Sequence, residues 1–232
     1  LDHAMGLERL FLIPHGVAAT EGAYVRQAGL RETLVEATHR HQTLVIGDDI
    51  GVVPRGFRAR MAARRIFSTR MLVFEREGLK VHPPENYPLD ALAGLSTHDV
   101  APLAALWRAD EVDLRKRLGR ITAAAARREK RERFAGKQIA LAMAGLSRLR
   151  ALGPIDDKIV VAFHRLVART ASRLVAVRLE DVVGGRRLVH LPGTDKEHPN
   201  WRHTLPLTVD EVARSPLLDA VMCAVAKQRP KG

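Results

Sequence analysis

Short apolar runs that end in acidic loops constrain this chain more than any other feature. In Thr43-Leu44-Val45-Ile46-Gly47-Asp48-Asp49-Ile50-Gly51, β-favouring residues run into Gly-Asp-Asp-x-Gly, and Pro54 and Gly56 follow. That pattern predicts a short buried strand closed by an acidic loop. Asp2, in Leu1-Asp2-His3-Ala4-Met5-Gly6-Leu7, and Asp99, in Leu95-Ser96-Thr97-His98-Asp99, occupy comparable places, each beside a histidine. Acids at strand ends converge only if their strands lie side by side and parallel, so the pattern asks for a parallel sheet.

The order of elements agrees. Leu30 to His41 carries apolar residues at a helical spacing and leads into the strand at Thr43. Gly56 to Arg65 has helical composition, Ile66 to Glu75 reads as the next strand, and Pro83, Pro84 and Pro88 mark a loop before Leu89 to Leu95. Helix, strand, helix, strand, loop, strand is the signature of an α/β protein with a parallel sheet. Asp110 to Arg150 is strongly helical, with Gly119, Gly136 and Gly145 as candidate breaks. Ile155 to Thr170 is a further helix, and Ser172 to Val177 is the last strand. Thr208-Val209-Asp210-Glu211 is a capping-box pattern, and Ser215-Pro216 opens a C-terminal helix.

Composition narrows the class. A chain of 232 residues, 46% hydrophobic, has the size of one domain with a sizeable core. The single cysteine, Cys223, offers no disulfide framework, and no run reaches the roughly 18 apolar residues of a membrane span, which together point to a cytoplasmic protein. A net charge of +12, with much of the excess between Arg115 and Arg133, invites a nucleic-acid reading. Glu129 and Glu132 interleave that run, and no stacking row of aromatics accompanies it, so a solvated helix face is the better account. His39 and His41 lack a third ligand and read as surface residues. Tyr24, Phe74, Trp107 and Trp201 read as packing residues.

Six motifs fall in one family's order. They are Asp2-His3-Ala4-Met5-Gly6-Leu7 with Ile13-Pro14, Gly22-Ala23-Tyr24-Val25, Val45 to Pro54, Phe74-Glu75-Arg76, Ser96-Thr97-His98-Asp99, and Leu191-Pro192-Gly193-Thr194 with Pro199-Asn200-Trp201-Arg202. Over about residues 1 to 205 the chain resembles the C-terminal half of an amylomaltase, the bacterial 4-α-glucanotransferase (disproportionating enzyme) family. The resemblance implies the C-terminal half of a (β/α)8 TIM barrel, about strands five to eight plus the end of strand four, with its site at the C-terminal strand ends. It implies one catalytic-barrel fragment over 1–232, a helical segment at 110–170 between barrel strands seven and eight, and a C-terminal helix. The N-terminal half of the barrel is expected to be missing, since the chain starts one residue before a candidate acid.

The family's reaction transfers α-1,4-glucan segments between maltooligosaccharides, or linear α-glucans, with retained configuration. Such chemistry uses two carboxyl groups about 5 to 5.5 Å apart, one a nucleophile and one an acid/base. By resemblance Asp2 is the nucleophile, Asp48 the acid/base and Asp99 the group that binds sugar hydroxyls around the oxocarbenium-like state. His3 and His98 are substrate-binding residues by the same resemblance, and His190, a further substrate-binding candidate, stands where the family commonly has an asparagine that would contact sugar. It implies no metal or organic cofactor, no nucleic-acid partner and no membrane, and it leaves the oligomeric state open. The family reads Gly-Glu-Asp-Leu-Gly where this chain has Gly47-Asp48-Asp49-Ile50-Gly51. The acid/base is therefore one methylene shorter, and a catalytically impaired glucan-binding relative is the alternative reading. Asp49 should point to the other side of the strand end.

Overall fold

The computed structural model describes residues 1–77 and 80–229. Strands β1 (Arg9–Leu12) and β2 (Ala23–Arg26) precede helices α1 (Leu30–His41) and α2 (Phe57–Ala63). Next come β3 (Ser68–Met71), the short antiparallel pair β4 (Arg76–Glu77) and β5 (Lys80–Val81), and β6 (Ala91–Gly94). Helices α3 (Leu103–Arg108), α4 (Asp110–Arg117), α5 (Ala123–Met143) and α6 (Asp157–Ala168) follow, then β7 (Leu174–Val175), α7 (Leu179–Val182), α8 (Val209–Ala213) and α9 (Pro216–Gln228).

The expected parallel pairing is present. Strands β3, β6 and β7 are hydrogen-bonded in that order. Ser68 N–H donates to Asp90 O and Leu72 N–H to Gly94 O, so partners advance together along both strands, as parallel ladders require. Arg173 with Leu89 and Ala176 with Ala93 repeat the pattern at β7. The stretch predicted from Thr43 contributes a parallel bridge between Ile46 and Phe67, and Phe67 N–H donates to Val45 O. Leu1 joins its other side: Leu1 N donates to Ile46 O, and Asp48 N–H donates to Leu1 O. This is an α/β fold.

The strand expected over Ile66 to Glu75 is shorter than its apolar run. Phe74 and Glu75 both turn their N–H groups back to Met71 O, so the chain leaves the sheet at Met71 although Leu72 and Val73 still pair with Gly94 and Leu95. Of the three candidate helix breaks, Gly119 (φ +68°) and Gly145 (φ +76°) lie just beyond α4 and α5 in the left-handed conformation open to glycine. Gly136 has no such φ, and α5 runs through it. The Thr208 capping box on α8 and the Ser215 cap ahead of Pro216 on α9 form as expected.

The chain divides into two compact units, Leu1–Arg70 with Pro88–Leu92 and Ser172–Leu174, and Met71–Tyr87 with Ala93–Ala171 and Val175–Gly232. In the first, Ala4, Met5, Leu7, Phe57, Met61 and Ile66 form the core, with Leu34 and Val35 of α1 packed against it. The β1–β2 pair in this unit is antiparallel and leaves Leu10, Phe11, Leu12, Ile13, Tyr24 and Val25 largely exposed. In the second, α6 presents Ile159, Val160, Phe163, Leu166 and Val167 to a core that includes Leu95, Trp107, Leu141 and Val221. Ala residues are frequent in that core, the aliphatic packing that an aromatic content of 4% demands. Leu141 is fully buried there, so Leu141→Ala should destabilise the chain by about 2–5 kcal/mol in urea unfolding.

Candidate active site

Glycine at position 47 has a steric cause. A Cβ there would stand 2.8 Å from Met61 Cε and 2.9 Å from Ala4 Cβ, so only glycine lets the strand end pass between the Ala4 turn and α2. Leu1 pairs alongside Gly47, and Asp2 and Asp48 each come one residue later on these neighbouring segments. His3 then adopts a left-handed conformation (φ 44°, ψ 59°), which returns the chain so that Ala4 N–H donates to Asp48 O at 2.8 Å. A non-glycine residue in that region carries backbone strain, and such strain clusters at functional positions. Asp2 and His3 are exposed, and Asp48 is half-buried with Oδ1 accepting from Ile50 N–H at 3.0 Å. The first unit thus brings Asp2, His3 and Asp48 together.

Asp49 has a different role, in keeping with its expected direction. Its side chain is fully buried; Arg58 Nε donates to Oδ2 at 2.6 Å, Arg70 Nη1 to Oδ2 at 2.9 Å, and Thr69 N–H to Oδ1 at 2.8 Å. A buried carboxylate is tolerated when its charge is met and its lone pairs are filled, as here. Asp49 locks the acidic loop onto β3.

In the second unit Asp99 stands on the loop after β6. His190 Nδ1 hydrogen-bonds Asp99 Oδ1 at 2.5 Å, and His98 Nε2 lies 3.6 Å from the same oxygen. Trp201 stacks on the His190 ring at 5.0 Å between centroids and tilts against His98 at 5.4 Å. Trp201, a packing residue by its sequence context, is 60% exposed and holds a positive φ of 60°. The signal that could have found it was its place after Pro199-Asn200, because Asn200 builds the surrounding loop. Asn200 Oδ1 accepts from Leu191 N–H at 2.9 Å, while Nδ2 donates to Thr194 O and Thr194 Oγ1, each at 3.0 Å. Trp107 is a core residue as expected, whereas Tyr24 and Phe74 are exposed. Among the described residues, no three histidine, cysteine, aspartate or glutamate side chains form a metal-binding group.

Arg178 and Asp181 support the Asp99 loop from behind. Arg178 Nη1 donates to Thr97 O at 2.9 Å and to Val100 O at 2.7 Å, bracketing Asp99. Asp181 Oδ1 accepts from Leu103 N–H at the start of α3. Burial pushes the Asp181 carboxyl up to about 6, and its Oδ2 has no hydrogen-bond partner.

The charge run between Arg115 and Arg133 is matched in part. Lys130 meets Asp113 at 2.7 Å, Arg133 meets Glu111 at 2.6 Å, and Arg115 pairs with Glu129. No helix among the described residues is long and apolar enough to cross a membrane.

A family model described as 4-alpha-glucanotransferase matches residues 1–208. The 4-alpha-glucanotransferase of Mycobacterium tuberculosis is 37% identical over 222 residues, which cover 90% of this chain and 30% of that protein. That of Haemophilus influenzae is 32% identical over 213 residues, 87% of this chain and 30% of that protein. Among solved structures, amylomaltase from Corynebacterium glutamicum superposes with a TM-score of 0.84 at 27% identity, over 97% of this chain and 35% of that one. Amylomaltase from Streptococcus agalactiae shares the fold, with a TM-score of 0.62 at 15% identity over 96% of this chain and 40% of that one.

Asp181 yields a pH prediction. A raised native pKa means that its contribution to stability is full below about pH 4 and is lost as pH rises through about 6. Asp181→Asn keeps an acceptor for Leu103 N–H and removes the titration. It should therefore flatten the stability profile across that window and raise stability at pH 8 by about 2–3 kcal/mol relative to the natural chain, read by urea unfolding at several pH values.

The chain spans about a third of the length of the relatives and structures it matches, and over nine-tenths of its own length the match to the family model and the α/β fold agree: it belongs to the 4-alpha-glucanotransferase family.

Proposed function

We propose that this chain is the portion of a 4-α-glucanotransferase that carries the reacting carboxylates, and that the complete protein moves α-1,4-glucan segments between maltooligosaccharides in the cytoplasm. On this reading residues 1–232 are one fragment of a (β/α)8 barrel. Leu1 closes strand four, the segment at Ile46 is strand five, β3 and β6 are strands six and seven, β7 is strand eight, and residues 110–170 are an insertion between the last two.

The pairing of Leu1 beside Gly47 carries the reading. Neighbouring strands lie about 4.8 Å apart and paired residues share a face, so the two side chains start from adjacent backbone positions, as a retaining pair of carboxyl groups about 5 to 5.5 Å apart requires. Asp2 and Asp48 follow that pair. Asp2 attacks the anomeric carbon while Asp48, protonated, gives its proton to the departing glycosidic oxygen. The bond to the leaving glucan breaks and a glycosyl ester to Asp2 forms. Asp48, now a carboxylate, takes the proton of the acceptor sugar hydroxyl as that oxygen displaces Asp2. Configuration inverts twice and is retained. Asp99 accepts hydrogen bonds from sugar hydroxyls, and His190 and His98 fix the direction of its carboxylate. His3 contributes a further hydroxyl contact.

The shorter acid at position 48 decides how fast this runs. Its Oδ1 is turned to Ile50 N–H of its own loop, and the side chain lacks one methylene of reach relative to glutamate. The complete open reading frame, assayed for redistribution of maltotriose, should be slow but active. Asp2→Asn should abolish transfer, and Asp48→Glu should raise the rate on the order of 100-fold, the scale set by a 1 Å correction in placement. Activity untouched by Asp2→Asn would sink the proposal. Activity confined to the Asp48→Glu form would favour a glucan-binding role for the natural protein.

A further inference from the structure

A cavity of about 420 Å³ lies within the second unit, apart from the Asp99 cluster. Its floor is apolar: Leu72, Val73 and Phe74, the residues that turn out of the sheet after β3, face Leu106, Trp107 and Phe163. Trp107 is fixed there by Nε1–H donating to Gly153 O at 2.9 Å, and its ring lies tilted to Phe163 at 6.2 Å. The charged groups of the lining are Arg76, Arg133 and Lys137, and no carboxylate is among the lining residues.

The three cations differ in what satisfies them. Arg133 is committed to Glu111 Oε1 at 2.6 Å and to Leu106 O at 3.2 Å. Arg76 lies across the helix face at Gly136, where an added Cβ would come within 3.2 Å of its Nη1. Lys137 is half-buried, with its ammonium 4.6 Å from the Trp107 ring centre and 5.9 Å from that of Phe134. Burial, and then the neighbouring Arg133, hold its pKa below the usual lysine range. A half-buried ammonium on aromatic faces, beside two guanidinium groups, is an anion site that has been partly dehydrated in advance.

We propose that this cavity binds a small molecule joining a ring-sized apolar body to a single anionic group, with the body against Trp107 and Phe163 and the anion on Lys137 and Arg76. Volume and lining match the usual form of a small-molecule site, mostly apolar with a few placed polar groups. A glucan fits the lining poorly: beyond the three cations the polar side chain offered is Ser96, so most sugar hydroxyls would lose water without gaining partners. Ser96 and Val100 of the wall flank Asp99 in sequence and are tied through Arg178, so an occupant also bears on the Asp99 loop.

The test is titration calorimetry of the protein made from the complete open reading frame with 1-naphthyl phosphate, with neutral 1-naphthol, and with the phosphate ester in excess maltotriose. The expected result is one saturable site for the ester, binding about tenfold or more weaker for naphthol, and no competition by maltotriose. Lys137→Met keeps the apolar stem and should weaken the ester about tenfold while leaving naphthol unchanged. Gly136→Leu, which crowds the cavity mouth, should weaken both. Absence of a saturable site, equal affinity for naphthol, an ester affinity indifferent to both substitutions, or displacement by maltotriose would each overturn the proposal. The last result would assign the cavity to glucan instead, and none of them bears on the roles given to Asp2 and Asp48.

Discussion

The buried Asp49 carboxylate is the interaction on which the first unit depends. Withdrawing a carboxylate from water costs several kcal/mol, and the cost is met only when opposite charge and hydrogen bonds surround it. Arg58, Arg70 and the Thr69 N–H do so from α2 and β3, so the loop after the strand has one position available to it. Asp48 inherits that position. The side chain proposed to react is thereby held by its buried neighbour, and Gly47 completes the arrangement by leaving room for Ala4 and Met61.

The second unit solves the same problem with different means. Its acid stands on a loop well past its strand, and loops need external support if a side chain is to keep one direction. Arg178 brackets the loop through Thr97 O and Val100 O, Asp181 binds the backbone where α3 starts, and Asn200 ties the segment that brings His190 and Trp201 to Asp99. Asp99 is therefore oriented by rings and by backbone hydrogen bonds.

Much of this was legible in the residues. The acid-ended apolar runs foretold parallel pairing because buried parallel strands read as continuous β-favouring stretches, and the caps at Thr208 and Ser215 announced their helices through local hydrogen bonding. What could not be read depended on local backbone hydrogen bonding in one place and on contacts distant along the chain in another. The early end of β3 arises from N–H groups folding back on Met71, which composition does not encode. Trp201 looked like packing because an aromatic's exposure is set by neighbours far away in sequence, here His98 and His190. Gly136 looked like a break because glycine permits one, although nothing at that point of α5 required it.

The exposed strip on β1 and β2 has a colloidal consequence. Leu10, Phe11, Leu12, Ile13, Tyr24 and Val25 offer apolar surface on both faces of a two-stranded ribbon, which can draw molecules together. Against this stands a net charge of +12, whose repulsion keeps copies of the chain apart. That repulsion reaches about 30 Å at 0.01 M salt and about 3 Å at 1 M. Dilute buffer therefore keeps this chain dispersed and concentrated salt gathers it, so salting-out, often a route to purity, is here a route to turbidity.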